Sequence, residues 1–454
     1  MPPRPALPTS APTSAHAVRR GWRRLQIALA LLLGLAALPV FAQTGGTPPP
    51  VKQPPTTGQA PARSGGGMGV GVQVDVGQLF QLGRRLLAAP ETPEAYLPGA
   101  LLVAFPVEAG LDPASLAAET GAQLTSQARL DDLGLMVAQL QTTPEQVATM
   151  QQALQARHPE LTADRAPWWY PQQDGPALPG SRPGRLYAAA LLGIAGDPPP
   201  LPKPVRVALI DGLADPAVGL QLAGLQRLDL AGDAADPGLH ATDIACLLAC
   251  RARGPEGRRF AGLAPGIELL DAAVLASDPQ DRVRARPLDV LRALDWSLRQ
   301  GAQVVNVSLG AAPDAVTALA FRRAMPRLAA VVAAAGNGGP EAAPPYPAAL
   351  PGVIAVAAVD ARARPWRDGN RGRYITLAAP GVELWVPSPG REDGRYRSGT
   401  SFAAPLVTAW IAQRLARGLP VDAASLCTRA RDLPPPGPDP QTGCGLPLWP
   451  AAGR

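Results

Sequence analysis

Arg397-Ser-Gly-Thr-Ser-Phe-Ala-Ala-Pro-Leu406 is a polar turn that runs directly into an apolar segment. The pattern predicts a helix over Phe402–Leu415, with Ser401 at its N-terminus, where unpaired backbone N–H groups and the helix dipole favour negative charge. Pro405 is compatible with this helix because the first turn has no N–H bond to lose. Nucleophilic serines are often mounted in this way, but a lone serine at this position is more commonly a helix cap. The role of Ser401 therefore depends on what the rest of the chain supplies.

The sequence around this helix predicts an α/β domain with a mostly parallel sheet. Short apolar runs typical of buried parallel strands alternate with helical patterns, which predicts a sheet covered by helices on both faces. The apolar runs are Val205–Ile210, Glu268–Val274, Val304–Ser308, Ala330–Ala335 and Val353–Val359. The other helical patterns are His240–Ala252, Pro287–Arg299 and Ala315–Met325. In such sheets the functional groups gather at the carboxyl ends of the strands.

A smaller unit precedes this domain. Residues 95–171 follow the order β-α-β-β-α-β, which predicts a ferredoxin-like α+β domain. Residues 172–203 are rich in proline and glycine and predict an exposed linker. The α/β domain then occupies residues 204–420, and residues 421–454 form a proline-rich C-terminal tail.

The N-terminal segment 1–42 has the composition of a secretory signal peptide. Four arginines between positions 19 and 24 precede a short apolar run that ends Val40-Phe41-Ala42. Gly34 and Pro39 weaken the run as a membrane span, so an uncleaved anchor is the minority interpretation. We therefore expect an exported protein, periplasmic or extracellular, with no membrane span after signal removal. Residues 43–94 combine a low-complexity linker with a segment that we leave unassigned.

The composition excludes some partners. The net charge is +6, but the basic residues are scattered along the chain and aromatic residues make up only 4%. A nucleic-acid surface needs a local basic patch, and base stacking needs aromatic side chains, so we expect no nucleic-acid partner. The chain has only three histidines, His16, His158 and His240, so an imidazole-based mechanism has almost no choice of base.

Export would place the four cysteines in an oxidising compartment. Cys427 and Cys444 bracket a proline-rich loop and are predicted to form a disulfide. Cys246 and Cys250 lie one helical turn apart, where a bridge would be strained, so buried thiols on a helix face are the plainer interpretation and their pairing stays open.

Four polar residues lie at predicted strand ends or helix starts: Asp211, His240, Asn337 and Ser401. Acyl transfer needs this set, because a serine hydroxyl is a poor nucleophile until an imidazole removes its proton. A buried carboxylate holds that imidazole in the correct tautomer, and an asparagine amide can stabilise the oxyanion. Taken singly, each residue has a structural explanation as a turn residue or a helix cap.

Together these residues resemble the subtilisin-like serine peptidases, or subtilases, whose catalytic residues follow the order Asp…His…Ser. The matching motifs are His240-Ala-Thr-Asp-Ile-Ala, Ala335-Gly-Asn-Gly338, Gly399-Thr-Ser-Phe-Ala-Ala-Pro405, Val305-Asn-Val-Ser-Leu-Gly310 and Leu263-Ala-Pro-Gly266. The resemblance covers about Val205–Leu415 and implies a parallel-sheet α/β sandwich.

The resemblance also implies roles for individual residues. Asp211, His240 and Ser401 would form the catalytic triad, and Asn337 would contribute to the oxyanion hole. The segment Ser308, Leu309 and Gly310 would line a cleft for an extended peptide, so that the substrates would be proteins or peptides.

Residues 95–171 look like the family's inhibitory propeptide, which assists folding and leaves its C-terminal segment in the active-site cleft until self-cleavage. Trp168-Trp-Tyr-Pro171 occupies the corresponding place in this chain. The other interpretation of this unit is an ordinary accessory domain. Calcium is common in the family, so the resemblance leaves a calcium ion open, but the sequence has no dense Asp/Asn loop of coordinating spacing and no zinc pattern. We therefore predict no cofactor and identify no metal site.

The chain departs from the family pattern at three positions. Gly212 and Leu213 follow the aspartate where the family has Thr-Gly, and Ala241 follows the histidine where the family has glycine. These changes motivate an alternative, a catalytically weak or silent subtilase fold that binds partners or acts as a scaffold. A nucleotide-binding α/β protein is a weaker alternative, because no Gly-x-Gly-x-x-Gly or Gly-x-x-x-x-Gly-Lys motif is present.

Overall fold

The computed structural model describes residues 94–172, 186–232, 239–278, 282–389 and 391–449. These residues all belong to one compact unit of the chain, residues 89–454. The predicted signal peptide 1–42 and the segment 43–93 lie outside the described residues. No helix among the described residues is long and apolar enough to cross a membrane.

The N-terminal part of the described chain is a four-stranded antiparallel sheet with the strand order β2-β3-β1-β4. Its elements are β1 (Tyr96–Pro106), α1 (Pro113–Thr120), β2 (Gln123–Leu130), β3 (Leu135–Gln141), α2 (Val147–Arg157) and β4 (Thr162–Pro167). Alternate residues of β1 point to opposite faces. Leu101 and Val103 pack in one apolar cluster with residues of α1 and α2, and Leu102 joins the core of the larger domain on the other face. The ferredoxin-like prediction is confirmed.

The larger domain is built on a seven-stranded parallel sheet with the order β17-β16-β15-β13-β6-β10-β7. The strands are β6 (Arg206–Asp211), β7 (Gly224–Asp229), β10 (Glu268–Ala273), β13 (Val304–Val307), β15 (Ala330–Ala334), β16 (Ile354–Val359) and β17 (Ile375–Pro380). The helices are α3 (Ala188–Leu191), α4 (Leu239–Ala249), α5 (Pro287–Arg299), α6 (Ala315–Ala324), α7 (Thr400–Leu415) and α8 (Ala423–Cys427).

Helices cover both faces of this sheet. Val207 and Leu209 of β6 pack in one core cluster with residues of α4 and α7, whereas Ala208 and Ile210 pack with residues of α5 and α6. Near-continuous apolar strands are expected when both faces are buried. The predicted α/β fold with a mostly parallel sheet is confirmed.

Short two-stranded sheets lie outside the four-stranded and seven-stranded sheets. They are β5 (Trp169–Pro171) with β14 (Leu309–Ala311), β8 (Arg251–Arg253) with β9 (Arg259–Ala261), β11 (Ala276–Ser277) with β12 (Val283–Arg284), β18 (Leu384–Ser388) with β19 (Arg391–Arg397), and β20 (Ala430–Arg431) with β21 (Leu446–Pro447). The C-terminal segment predicted as an irregular tail therefore contains one short helix and one strand pair.

Two strands of the main sheet were missed by the sequence analysis. Strand β7 lies at one edge, and most of its side chains are exposed or half-buried, so its sequence Gly-Leu-Gln-Arg-Leu-Asp lacks the continuous apolar run of a central strand. Strand β17 lies at the opposite edge and ends in proline, which removes a backbone donor.

The prediction that residues 172–203 form an exposed linker is wrong for residues 186–203. Leu192 is fully buried in the core of the larger domain. The carbonyl of Pro199 accepts a hydrogen bond from Gln413 Nε2, and the N–H of Leu201 donates to the Pro265 carbonyl. Proline and glycine here shape an ordered segment that packs on the domain.

Both cysteine pairs form disulfides. The predicted bridge between Cys427 and Cys444 is present, with Cα atoms 5.3 Å apart. Cys246 and Cys250 are also joined, with Cα atoms 4.4 Å apart, so the interpretation of this pair as buried thiols is wrong. One helical turn brings the two Cα atoms to the short end of the range in which a bridge forms.

Candidate active site

His240 and Asp211 are in direct contact. Asp211 ends strand β6 with its side chain fully buried, and it accepts the backbone N–H of Gly212 at 2.8 Å. The Nδ1 atom of His240 lies 2.8 Å from one carboxylate oxygen of Asp211 and 3.0 Å from the other. Because an ionised carboxylate only accepts hydrogen bonds, this contact assigns a proton to Nδ1 and makes Nε2 the acceptor of the neutral ring. A histidine base requires this arrangement.

Ser401 lies in the first turn of α7, which begins at Thr400, two residues before the predicted start. The Phe402 ring meets the His240 ring edge to face, with centroids 5.5 Å apart, so the imidazole packs beside the residue that follows the serine. The Ser401 hydroxyl donates a hydrogen bond to the backbone carbonyl of Gln172 at 2.8 Å. The serine therefore faces a peptide carbonyl rather than capping its own helix.

Asn337 reaches the same carbonyl. Its Nδ2 donates to the Gln172 oxygen at 2.6 Å. Its Oδ1 accepts from the Thr400 hydroxyl at 2.7 Å and from the Thr400 backbone N–H at 3.0 Å. These two donors to Oδ1 fix the orientation of the amide, so that Nδ2 points to the carbonyl. The sequence analysis missed Thr400, although Gly-Thr-Ser contained it.

The Ser308 side chain holds the backbone at Ser401 through a hydrogen bond. Its hydroxyl donates to the Ser401 carbonyl at 2.9 Å and accepts from Asn306 Nδ2 at 3.0 Å. The hydroxyl of Thr408 completes this fully buried chain by donating to Asn306 Oδ1 at 2.8 Å. The side chain of Ser308 therefore has a structural role, and its backbone carbonyl faces the cleft.

A segment of the chain itself lies in the cleft. Strand β5 pairs antiparallel with β14, with Tyr170 opposite Gly310 and Pro171 opposite Leu309. The N–H of Gln172 then donates to the Ser308 carbonyl at 3.2 Å. The predicted cleft residues thus hold an extended peptide by backbone pairing, which is the mode of β-strand addition. The sequence predicted this place for the Trp168–Pro171 segment but missed Gln172, which carries the carbonyl.

Two of the three departures from the family pattern, Gly212 and Ala241, lie next to the residues of the His240–Asp211 contact. Ala241 is fully buried in the core, and its methyl group packs there without displacing the contact between His240 and Asp211. The backbone N–H of Gly212 keeps a hydrogen bond to the aspartate. The departures therefore leave the proton-handling pair in contact.

A buried ion cluster ties the histidine helix to the serine loop. Asp243 lies one turn after His240, is fully buried, and accepts hydrogen bonds from Arg395 and from Arg397. Arg395 also donates to the Leu239 carbonyl at 3.0 Å. Burial raises the pKa of Asp243, and the two guanidinium groups oppose that rise. The sequence analysis did not single out this cluster, because partners more than 150 positions apart leave no local pattern.

A second buried carboxylate supports the loop after the candidate catalytic aspartate. Asp271 on β10 is fully buried and accepts the backbone N–H of Ala214 at 3.1 Å. Its other partner is Arg227, whose Nε lies 3.4 Å away. Burial raises the pKa of Asp271 to about 7, because the single arginine only partly offsets desolvation.

Among the described residues, no group of three or more His, Cys, Asp or Glu side chains could hold a metal ion. The calcium that the family resemblance implies stays an expectation.

Residues 229–424 match the family model described as the Subtilase family. The thermophilic serine proteinase of Bacillus sp. (strain AK1) is 33% identical over 202 residues, 44% of this chain and 48% of that protein. Subtilisin DY of Bacillus licheniformis is 35% identical over 153 residues, 32% of this chain and 53% of that protein. The chain spans about half of the length of these curated relatives.

The crystal structure of fervidolysin from Fervidobacterium pennivorans, described as a keratinolytic enzyme related to subtilisin, has the same fold. Its TM-score is 0.59 at 21% sequence identity, and the match covers 79% of this chain and 61% of that one. At this identity the likeness shows the fold alone.

Proposed function

We propose that this chain, whose residues 229–424 match the Subtilase family model, is a serine endopeptidase, exported and made as a self-processing zymogen. Its substrates are proteins or peptides held in extended form against Ser308–Gly310. Asp211, His240 and Ser401 form the catalytic triad, and Asn337 donates to the oxyanion.

The reaction follows from the roles of these groups. Ser401 Oγ attacks the carbonyl carbon of the scissile bond while His240 Nε2 takes the hydroxyl proton. Asn337 Nδ2 donates to the oxygen that becomes negative, and Asp211 stabilises the imidazolium. His240 then gives its proton to the leaving amine, and the C–N bond breaks to leave an acyl-enzyme. Water, deprotonated by His240, hydrolyses this ester and regenerates Ser401.

One observation carries the proposal. The carbonyl oxygen of Gln172 lies 2.8 Å from Ser401 Oγ and 2.6 Å from Asn337 Nδ2. A carbonyl contacted by both the nucleophile and the oxyanion donor lies where the reacting carbonyl of a substrate must lie. The backbone pairing of β5 with β14 supports the same placement, because it holds the peptide in the extended form that a cleft of this kind needs.

The position of Gln172 in the chain supports the zymogen part of the proposal. Gln172 follows directly on the ferredoxin-like unit, and its backbone fills the place that a substrate needs. The uncut chain is therefore inhibited by its own segment. Cleavage at this position leaves residues 186–203 on the larger domain, where Leu192 belongs to the core.

Export is supported by the composition of residues 1–42, which lie outside the described residues, and by the two disulfides. N-terminal sequencing of protein recovered from the periplasm or medium tests it. A mature chain that still starts at Met1 and stays in the cytoplasm would contradict export.

A fluorophosphonate probe tests the catalytic proposal, because it reacts only with an activated serine. We expect labelling of the processed wild type and no labelling of Ser401→Ala or His240→Ala. Ser425→Ala is the matched control, since the Ser425 hydroxyl donates to Asp422 at the start of α8, away from the candidate site. This variant should label like the wild type.

A catalytically silent subtilase fold used for binding is the second candidate. The replacement of glycine by the buried Ala241 next to the histidine favours it. Absence of labelling in a folded wild type, under conditions in which a related peptidase reacts, would support this candidate. A Ser401→Ala chain that is still clipped between Pro171 and Lys203 without an outside protease would refute self-processing.

A further inference from the structure

We infer that the chain cleaves itself after Gln172, and that its substrates carry glutamine at the cleaved position and an aromatic residue three positions earlier. This inference rests on the proposed function and adds the substrate class. It follows from how the four residues Trp169–Gln172 are held: each position of this segment meets a different environment in the cleft.

The backbone of Trp169, at the N-terminal end of the segment, is paired with other strands on two sides. Trp169 pairs with Ala311 of β14 on one side. On the other side, its N–H donates to the Ala285 carbonyl at 3.1 Å and its carbonyl accepts from the Ala285 N–H at 2.8 Å. A peptide fixed at this point and at the Gln172 carbonyl has its register determined. The side chains of residues 169 and 172 are therefore held at fixed places in the cleft.

Trp169 fills an apolar pocket. Its side chain is fully buried, and its ring stacks on Phe321 of α6, with the ring centroids 6.5 Å apart and an angle of 20° between the ring planes. Leu288 and Val316 belong to the same apolar cluster. The indole N–H finds no hydrogen-bond acceptor among the described residues, so the pocket recognises an aromatic ring rather than a donor. Phenylalanine should therefore replace tryptophan with little loss, whereas alanine should leave the pocket empty.

The side chain of Gln172 contacts a backbone donor at one of its two polar ends and lies close to Gly310 at the other. Its Oε1 accepts the backbone N–H of Asn337 at 3.2 Å. A Cβ on Gly310 would come within 2.2 Å of its Nε2 and 3.0 Å of its Cδ, so alanine at position 310 would displace the glutamine side chain. An uncharged side chain with one acceptor and one slim end fits this space.

Charged residues at the same position meet specific obstacles. A glutamate would bring a second negative charge next to the carbonyl oxygen that becomes an oxyanion, which opposes the developing charge. A lysine has no acceptor for the Asn337 N–H, and its ammonium group would lose water on entering the pocket. The pocket therefore discriminates for a neutral amide and against either charge.

The positions between these two contribute less to selection. Pro171 is buried against the cleft, and Tyr170 is half-buried, with its hydroxyl donating to the Glu94 carbonyl at 2.9 Å. That acceptor belongs to the N-terminal segment of the chain, so a free peptide would not find it. We expect the third position before the cut to tolerate most side chains.

The first test uses the full chain. Intact-mass measurement of the processed wild type should give a mature N-terminus at Gln173. Processing of Gln172→Glu and Gln172→Lys should be at least tenfold slower than that of wild type, and Trp169→Phe should process within threefold of it. Peptides supply a second measurement that does not depend on whether Trp169→Ala folds around the empty pocket.

Peptides Trp-Tyr-Pro-Gln with a fluorogenic amide leaving group should be cut by the mature enzyme. Replacing glutamine by glutamate or lysine, or tryptophan by alanine, should lower kcat/KM at least tenfold. Phenylalanine in place of tryptophan should change it less than threefold. Gly310→Ala should lose more activity on the glutamine peptide than on a peptide with alanine at that position.

The fluorophosphonate probe separates this inference from the proposed function. An enzyme that labels but cuts itself elsewhere, or that cuts the glutamate and lysine peptides as fast as the glutamine peptide, overturns the substrate class alone. A folded wild type that neither labels nor cuts any peptide overturns the proposed function, and the substrate class with it.

Discussion

The guanidinium of Arg397 donates to the Asp243 carboxylate at 2.6 Å, which joins the strand that leads into the serine loop to the helix that carries the histidine. Arg395 reaches the same carboxylate from the same strand. Strand β19 thus links the helix of the candidate base to the loop of the candidate nucleophile. In the proposed mechanism, proton transfer between Ser401 and His240 depends on the separation of these two elements, so we interpret the cluster as a positioning device.

Asp243→Ala should therefore lower both stability and turnover. Removing one member of a buried ion pair costs about 3–5 kcal/mol in general, and we expect about 3 kcal/mol because both arginines keep some contact with solvent. We also expect kcat on a peptide substrate to fall about tenfold with KM nearly unchanged. Urea unfolding in a Ser401→Ala background measures the first effect, and steady-state kinetics the second.

Asp131→Ala is the matched control for Asp243→Ala, because Asp131 pairs with Arg129 in an exposed ion pair. We expect at most about 1 kcal/mol from that pair and no change in kcat. An Asp243→Ala enzyme that is less stable but turns over at the wild-type rate would show that the cluster is structural only.

The second prediction concerns the orientation of the Asn337 amide. Thr400→Val removes the hydroxyl that donates to Asn337 Oδ1 and that accepts the Gly336 N–H at 3.0 Å. The amide can then rotate away from the oxyanion. Loss of such a donor costs about 10²–10³ in kcat, a value that comes from subtilisin. We expect Asn337→Ala to reach that range and Thr400→Val to lose about tenfold.

Thr400→Ser supplies the control, because it keeps the hydroxyl while removing the methyl group. It should restore kcat to within about threefold of wild type, and KM should change little in all three variants. Equal losses in Thr400→Ser and Thr400→Val would show that packing of the methyl group, and not the hydrogen bond, supports the site.

Asp271 gives a pH dependence with a definite sign. Its pKa is raised by burial to about 7, whereas an aspartate in an unfolded chain titrates near about 4. Between these values the folded state binds more protons than the unfolded state, so the contribution of this group to stability falls as pH rises from about 4 to 7. Arg227 opposes the rise in pKa, and Asp211 and Asp229 reinforce it.

Asp271→Asn should flatten this part of the stability profile, because the amide does not titrate and its oxygen still accepts the Ala214 N–H. Thermal unfolding midpoints of the Ser401→Ala protein at pH 5, 6, 7 and 8, with and without the substitution, measure the difference. The variant should gain stability relative to its parent as pH rises towards 7. A constant difference across the range would mean that Asp271 does not titrate there.

The sequence predicted those parts of the fold that rest on short-range patterns. The central strands are buried on both faces and read as apolar runs, and the helix at Ser401 follows a Gly-Thr-Ser turn. Strand β7 was missed because an edge strand keeps polar side chains. Local pattern also favoured separate thiols at Cys246 and Cys250, whereas the structure joins them.

The sequence predicted those residues of the candidate site that lie in a characteristic motif at the end of a strand or the start of a helix. Asp211 ends a strand and His240 lies at the start of a helix, in the chain order of the family, and the structure brings the two side chains into contact. Gln172 has no such signature, because its importance lies in a backbone carbonyl whose position depends on the pairing of β5 with β14. The partnership of Asp243 with Arg397 depends on tertiary contact between distant segments and could not be predicted from spacing.

The last prediction concerns the release of the ferredoxin-like unit after cleavage. Its turn before β3 docks on the larger domain through Asp132, which pairs with Arg327 at 2.8 Å and with Arg299 at 3.1 Å. The Leu133 N–H also donates to Asp295 on α5 at 2.9 Å. The arginines are about half exposed, so this network is screened by salt and each pair contributes less than a buried pair would.

Asp132→Ala should therefore speed dissociation of the cleaved unit by about three- to tenfold without changing the rate of cleavage itself, because Asp132 lies away from Ser401 and Gln172. The lag before peptidase activity appears should shorten, and raising the salt concentration should shorten it in the wild type more than in the variant. Glu119→Ala is the matched control, since Glu119 pairs with Arg157 and His158 inside the same unit. A lag that is insensitive both to salt and to Asp132→Ala would mean that apolar packing of β1 on the larger domain, rather than this charge network, sets the release rate.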